Sequence, residues 1–187
     1  CDDTLYFKGY KMKKAFLLVI MATTTYLTAG NLVVTNGQVK AHTEVFGDSS
    51  INPSTTGLNS HLTMGKNIES IRGSIDISMS ILKSDNKGRD EHMLEAIEDV
   101  KYPVAKYTFK DVVKSDNGYI VNGILDFHGV KKPLVIQAKI MKSNKKVNFK
   151  GTSSFLMSSY DVKPPKMLFL TVRDQIDLDI DVKFETR

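Results

Sequence analysis

The chain has 187 residues, 41% hydrophobic and 25% charged, which suits one soluble globular domain large enough to bury a core or enclose a cavity. Its net charge of +5 falls to +3 once the four lysines and two aspartates of residues 1–30 are set aside, too weak a bias for nucleic acid, and no basic cluster is interleaved with aromatics. One cysteine, Cys1, excludes an intramolecular disulfide, and no Cys/His set has zinc spacing.

Met12-Lys13-Lys14 opens a positive segment. Ala15 to Ala22 is a short apolar run, and Thr23 to Gly30 is small and polar. This predicts a secretory signal peptide over Met12–Gly30, cleaved near Ala29 or Gly30. The apolar run is too short to span a bilayer comfortably. The expectation is a periplasmic or secreted protein without a permanent membrane anchor, its mature chain starting near Asn31. Met12 reads as the start, with residues 1–11 as upstream translated sequence.

Beyond the leader, Leu32 to Thr35 meets Asn36-Gly37, a hairpin signal, and a strand is expected from Gln38 to Phe46 with Val39, Ala41, Thr43 and Val45 on one face. Residues 47–57 are rich in Ser, Asn, Pro and Thr and read as a loop; Asn59 to Met64 reads as a short strand. From Gly73, Ile75, Ile77, Met79 and Ile81 alternate with Ser74, Asp76, Ser78 and Ser80, the pattern of an antiparallel strand with one wet face.

Gly88 to Pro103 is the one segment after the leader with helical spacing. Met93, Leu94, Ile97 and Val100 form an apolar stripe, Asp90 and Glu91 suit the first turn, and Pro103 is a stop. Strands follow through Tyr107 and Phe109, through Tyr119–Phe127 after Asp116-Asn117-Gly118, and through Leu134–Ile140 after His128-Gly129. The next carries Val147, Phe149, Phe155 and Met157, and the last sets Ile176, Leu178, Ile180, Val182 and Phe184 opposite Asp177, Asp179 and Asp181. About eight strands joined by short turns predict an all-β sandwich or an up-and-down barrel. A closed eight-stranded barrel leaves no exposed edge and has room inside for side chains or one slender ligand.

Nothing in the chain spells out catalysis. There is no Gly-x-Ser-x-Gly elbow, and the alternating aspartates of the last strand read as its wet face. His42, His61, His92 and His128 are scattered, and His128 reads as a solvent-facing turn residue. No metal site and no enzyme activity are expected.

Three runs carry a family resemblance: Arg89-Asp90-Glu91-His92-Met93; Lys101-Tyr102-Pro103 leading to Tyr107-Thr108-Phe109; and Gly123-Ile124-Leu125-Asp126-Phe127-His128-Gly129-Val130-Lys131-Lys132-Pro133-Leu134. In this order and spacing the chain, over roughly residues 70–185, resembles the YceI-like family of lipocalin-like, polyisoprenoid-binding periplasmic proteins. The resemblance implies an eight-stranded antiparallel barrel over residues 31–187 with one short helix covering or flanking it. It also implies a long apolar cavity and no catalytic residues.

On that reading the chain is a periplasmic carrier. Its ligand is a long-chain lipid or an isoprenoid, quinone-like molecule; no other cofactor and no nucleic acid are expected, and a homodimer is compatible with it. The expected cavity set is Ile75, Ile77, Met79, Ile81, Tyr119, Val121, Leu125, Phe127, Ile136, Phe149, Phe155 and Leu178. Met64, Met79, Met93, Met141, Met157 and Met167 would serve either an alkyl ligand or a core. Arg89, Asp90 and His92 stand either at the entrance or in the docking of the helix. The competing readings are a cell-envelope stress or interaction module with a filled core and, with less weight, an enzyme acting on lipids or isoprenoids.

Overall fold

The computed structural model describes residues 29–45, 49–167 and 170–187. The expected signal peptide lies outside these residues except for Ala29 and Gly30, and the strand expected to reach Phe46 is described as far as Val45. In chain order the elements are β1 (Gly30–Val45), β2 (Ser49–Ile51), β3 (Ser54–Thr55), β4 (Leu58–Met64), β5 (Arg72–Ser78), α1 (Lys87–Ala96), β6 (Val104–Ser115), β7 (Gly118–Phe127), β8 (Val130–Ser143), β9 (Lys146–Leu156), β10 (Lys166–Met167), β11 (Leu170–Thr171) and β12 (Gln175–Thr186). Single turns of 3-10 helix sit at Ile68–Ser70 and Met157–Tyr160.

Eight strands run antiparallel in the order β1-β4-β5-β6-β7-β8-β9-β12, and β12 pairs back onto β1 to close a barrel. Period-two alternation drives this arrangement. On β8, Leu134, Ile136, Ala138 and Ile140 are buried while Val135, Gln137, Lys139 and Met141 face out, so each strand offers one face to the interior. Two-residue turns set the register between neighbours. His128 and Gly129 both take positive φ, 52° and 77°, the conformation whose twist matches a right-twisted hairpin.

Four local expectations are corrected. Asn36-Gly37 is no hairpin, because β1 runs unbroken for 16 residues; the extra residue is taken up as a bulge at Thr35, and Asn36 and Gly37 pair with Lys183 and Val182 of β12. A Cβ at Gly37 would stand 2.9 Å from Cα of Val182; the glycine lets β1 close tightly on its partner. The expected loop of residues 47–57 contains β2 and β3, both paired to β1. The helix is shorter than expected and begins behind an Asn86 cap, whose side chain accepts from the Arg89 amide at 3.0 Å. It stops at Ala96, and Glu98 turns left-handed with φ 48°. Val100 therefore leaves the helical face and is 93% exposed, whereas Ile97, just past the helix, is buried.

One end of the barrel is solid. The Tyr107 ring lies across the inner face of β7 over Gly123, where a Cβ would come within 2.3 Å of its Cζ. Its hydroxyl donates to the carbonyls of Val121 and Leu134, 3.1 and 2.9 Å away. Burial, then Asp111, pushes the phenol pKa far up, so the hydroxyl keeps its proton and remains a donor. Phe109 packs edge-on to Tyr107 and to Phe149, and Leu32, Met64, Ile71, Val147 and Val182 complete a core at 1–2% exposure.

The closure seam carries a polar network on the outer surface. His42 on β1 faces Asp177 on β12. His42 Nδ1 lies 2.6 Å from the Asn52 side-chain oxygen and Nε2 lies 3.2 Å from Glu44. Asp177 accepts from Gln175 at 2.6 Å and from Arg173 at 2.7 Å. The hydrogen bond to Asn52, then that to Glu44, raises the His42 pKa; the bond from Gln175, with help from Arg173, lowers that of Asp177.

Two predictions follow from this packing. Tyr107→Phe keeps the ring but removes the hydroxyl's bonding to two carbonyls that retain their partners in the β7–β8 ladder, and should cost about 0.5–1.5 kcal/mol in chemical denaturation. At the seam, an NMR titration should place the His42 midpoint above 6.5, and Asn52→Ala should lower it. With a raised pKa, the stabilisation from His42 is complete below its unfolded value and fades as pH rises through the folded one. Asp177 acts in the opposite direction, its share fading as pH falls through its lowered value.

Candidate functional site

The other end of the barrel is hollow. Inward side chains there enclose a cavity of about 680 Å³, within the range of small-molecule sites. The strands supply Val39, Ala41 and Thr43 from β1, Ile77 from β5, Ala105 from β6, Leu125 and Phe127 from β7, Phe155 from β9, and Ile176 and Leu178 from β12. Met79 and Met157 continue the inner faces of β5 and β9 just past their ends. Phe127 and Phe155 meet edge-on at 5.7 Å and are backed by Tyr160, which makes one wall stiff and aromatic.

A cap of irregular segments covers the opening. Ile51, Pro53 and Thr55 come from the segment after β1, which is tied down where the Ala41 amide donates to the Pro53 carbonyl at 2.8 Å. Val162, Pro165 and Val172 come from the segment between β9 and β12, anchored by a bridge between Val45 and Val172. The helix adds Met93 and Ala96, and Ile97 follows them. The buried polar side chains of the lining are Thr43 and Thr55. Thr43 donates its hydroxyl to the Arg173 carbonyl, and that of Thr55 accepts from the Gly57 amide. Each is engaged by backbone, and the side chains around them in the lining are otherwise apolar.

Charge is confined to the rim, where Arg89, His92, Glu95 and Lys166 border the cavity. Arg89 is half-buried and lies 3.8 Å from Asp85, and His92 lies 3.9 Å from Glu95 with both side chains in solvent. Asp90 does not reach the cavity. Its carboxylate accepts from the amide and hydroxyl of Ser84, at 2.8 and 2.6 Å, and so fixes the loop leading into the helix. Of the three residues weighed between entrance and helix docking, Arg89 and His92 border the opening and Asp90 docks the helix.

The expected cavity set divides at a boundary that alternation does not show. Ile77, Met79, Leu125, Phe127, Phe155 and Leu178 line the cavity. Ile75, Val121, Ile136 and Phe149 point inward at 0–8% exposure but lie in the solid end; Tyr119 is partly buried against that core. Ile75 pairs with Tyr107, whose ring packs on Phe109 and through it joins the core that holds Phe149. Ile81 is 49% exposed because β5 ends at Ser78 and the chain turns before its alternation reaches that residue. Among the methionines, Met79, Met93 and Met157 line the cavity, Met64 is core and Met141 is 60% exposed; the Met167 side chain lies outside the described part.

His128 also departs from expectation. Its side chain is only 10% exposed. Nδ1 donates to the Tyr160 carbonyl at 3.0 Å, Nε2 lies 2.8 Å from Glu98, and the ring packs on Tyr102. It ties the β7–β8 turn to the segment after the helix and to the 3-10 turn behind the aromatic wall. His42 and His61 sit on outward positions of β1 and β4, beside Glu44 and Asp76. Among the described residues no group of three or more His, Cys, Asp or Glu could hold a metal ion, and no helix is long and apolar enough to cross a membrane.

Known proteins share this architecture. A Burkholderia cenocepacia protein, BcnA, superposes with a TM-score of 0.69 at 12% identity, over 79% of this chain and 95% of that one. A polyisoprenoid binding domain from Saccharophagus degradans gives 0.60 at 14% identity, over 87% and 100%. The Campylobacter jejuni YCEI protein gives 0.53 at 17% identity, over 100% and 98%. In sequence, a UPF0312 protein of Pseudomonas savastanoi is 29% identical over 127 residues, 63% of this chain and 62% of its own. One from Photorhabdus laumondii is 33% identical over 73 residues, 38% of each. The chain thus spans less than two thirds of the length of these curated relatives. The model of the YceI-like domain matches residues 29–184, and with a closed eight-stranded barrel built over that stretch the chain belongs to the YceI-like family.

Proposed function

We propose that this protein binds an amphiphile, holding its isoprenoid or fatty tail in the hollow end of the barrel with the head group at the charged rim. The observation that carries the reading is a cavity of about 680 Å³ whose side walls are apolar and whose charged groups stand at the mouth. Each buried methylene contributes roughly 0.8 kcal/mol, so a tail of ten or so carbons can offset the cost of ordering it. Methionines around the opening suit a flexible chain.

The family and the polyisoprenoid-binding neighbour favour an isoprenoid over other tails. A quinone-like ring is one head that the rim would meet. The basic and apolar segment at Met12–Gly30 supports export, and with it a carrier role in the periplasm or outside the cell.

A binding role fits the site better than catalysis. The His–carboxylate pair at the cavity, His92 with Glu95, is 3.9 Å apart and solvated on both sides. Catalysis needs groups held at hydrogen-bond distance around a reacting atom. A filled-core interaction module fits less well, since close packing is the default interior and a void of this size gives up that stabilisation.

Mass spectrometry of lipid extracted from protein purified from a bacterial periplasm tests the proposal. A stoichiometric long-chain species is expected. Leu125→Arg and Ile77→Arg should each abolish its retention while the barrel's circular dichroism is unchanged, because an unpaired charge in an apolar cavity is costly to bury. Wild-type protein that is folded and empty after exposure to such lipids would overturn it.

A further inference from the structure

We infer that Tyr107, seated on Gly123, closes the inner end of the cavity just behind its lining and sets a ceiling on how much of a tail the protein can bury. This rests on the binding role proposed above and adds its chain-length specificity. The boundary can be followed from strand to strand. On β5, Ile77 lines the cavity and the next inward residue, Ile75, does not; on β6 the same step separates Ala105 from Tyr107, and on β12 Leu178 from Ile180. Ile75 and Tyr107 are cross-strand partners, as are Ile77 and Ala105, so on β5 and β6 the step falls in register; on β7 it comes after Leu125, the partner of Tyr107, at Gly123, where the ring lies.

Tyr107 can lie across the inner face of β7 only because Gly123 has no side chain, and its hydroxyl is held by two carbonyls. The ring is therefore a fixed stop rather than a side chain that a guest could push aside. Along β1 the cavity runs from Thr43 to Val39, about 13 Å at ~3.3 Å per residue. At about 30 Å³ per methylene-sized group, a volume of about 680 Å³ holds on the order of 20 chain carbons. Carbons beyond that number stay in the mouth or in water and add no burial.

The test uses the full chain and a series of prenols: geraniol, farnesol, geranylgeraniol, geranylfarnesol and solanesol. Affinity is measured by competition with a fluorescent fatty probe. In wild type it should climb steeply up to geranylgeraniol, at most about fourfold per added buried carbon, and stay flat beyond. Tyr107→Ala opens the floor by one ring, so geranylfarnesol should bind at least tenfold tighter than geranylgeraniol.

Ala105→Leu raises the floor by filling empty space. It tests the idea even where Tyr107→Ala does not fold: geranylgeraniol should lose its advantage over farnesol. Affinity that keeps climbing past geranylgeraniol in wild type, or an Ala105→Leu variant with the wild-type plateau, would overturn the ceiling while leaving the binding role intact. No affinity for any prenol or for the fatty probe would overturn the binding role and the ceiling with it.

Discussion

The Tyr107 ring resting on Gly123 is the constraint from which the two halves of this barrel take their character. A large residue on one strand meets a residue without a side chain on the next, and the hydroxyl is fixed by carbonyls of β7 and β8. Beneath the ring, Phe109, Phe149 and the aliphatic residues around them pack to the density of a protein interior. Above it the strands continue with the same alternation but have nothing opposite. Dispersion lost by walls that face a void has to be offset by the filled end.

Partial exposure is the signature of the hollow half. Ile77, Phe127, Phe155, Ile176 and Leu178 face inward yet remain only partly buried, while Val121, Val147 and Val182 at the other end are at 0–1% exposure. The helix fits the same pattern. None of its residues is fully buried, because its inner side overlies the opening rather than a packed core. It is positioned by its ends, through the Asn86 cap, the Ser84–Asp90 bonds and the His128–Glu98 contact just beyond Ala96. A cap held at its ends can sit across an entrance without filling it.

The solved relatives share the architecture at 12–17% identity. At that distance a shared barrel reflects a shared pattern of inward and outward positions more than shared side chains. The residues that shape this cavity, Ala105 in its wall with Tyr107 and Gly123 packed behind and Arg89, His92 and Lys166 at its rim, are then features to be read from this chain itself.

By itself the sequence determined the class of fold and most of its strands. Alternation in Leu134–Ile140 and Ile176–Phe184 says which face is apolar, and His128-Gly129 says where the chain reverses, because both signals are local consequences of backbone geometry. It also left Arg89, Asp90 and His92 open between an entrance and the docking of the helix, and named half of the inward residues that line the cavity. Further lining residues, Val39 and Ala41, were visible as one face of the first strand, though nothing marked that face as facing a void. Only the tertiary structure decided which inward residues face space and which face one another, since Ile75 and Ile77 look alike along the chain and differ only in standing level with Tyr107 or above it. Asn36-Gly37 became part of a continuous strand, and His128 a buried tie, for the same reason: partners far away in sequence, Val182 in one case and Glu98 and Tyr160 in the other, override what neighbouring residues alone would favour.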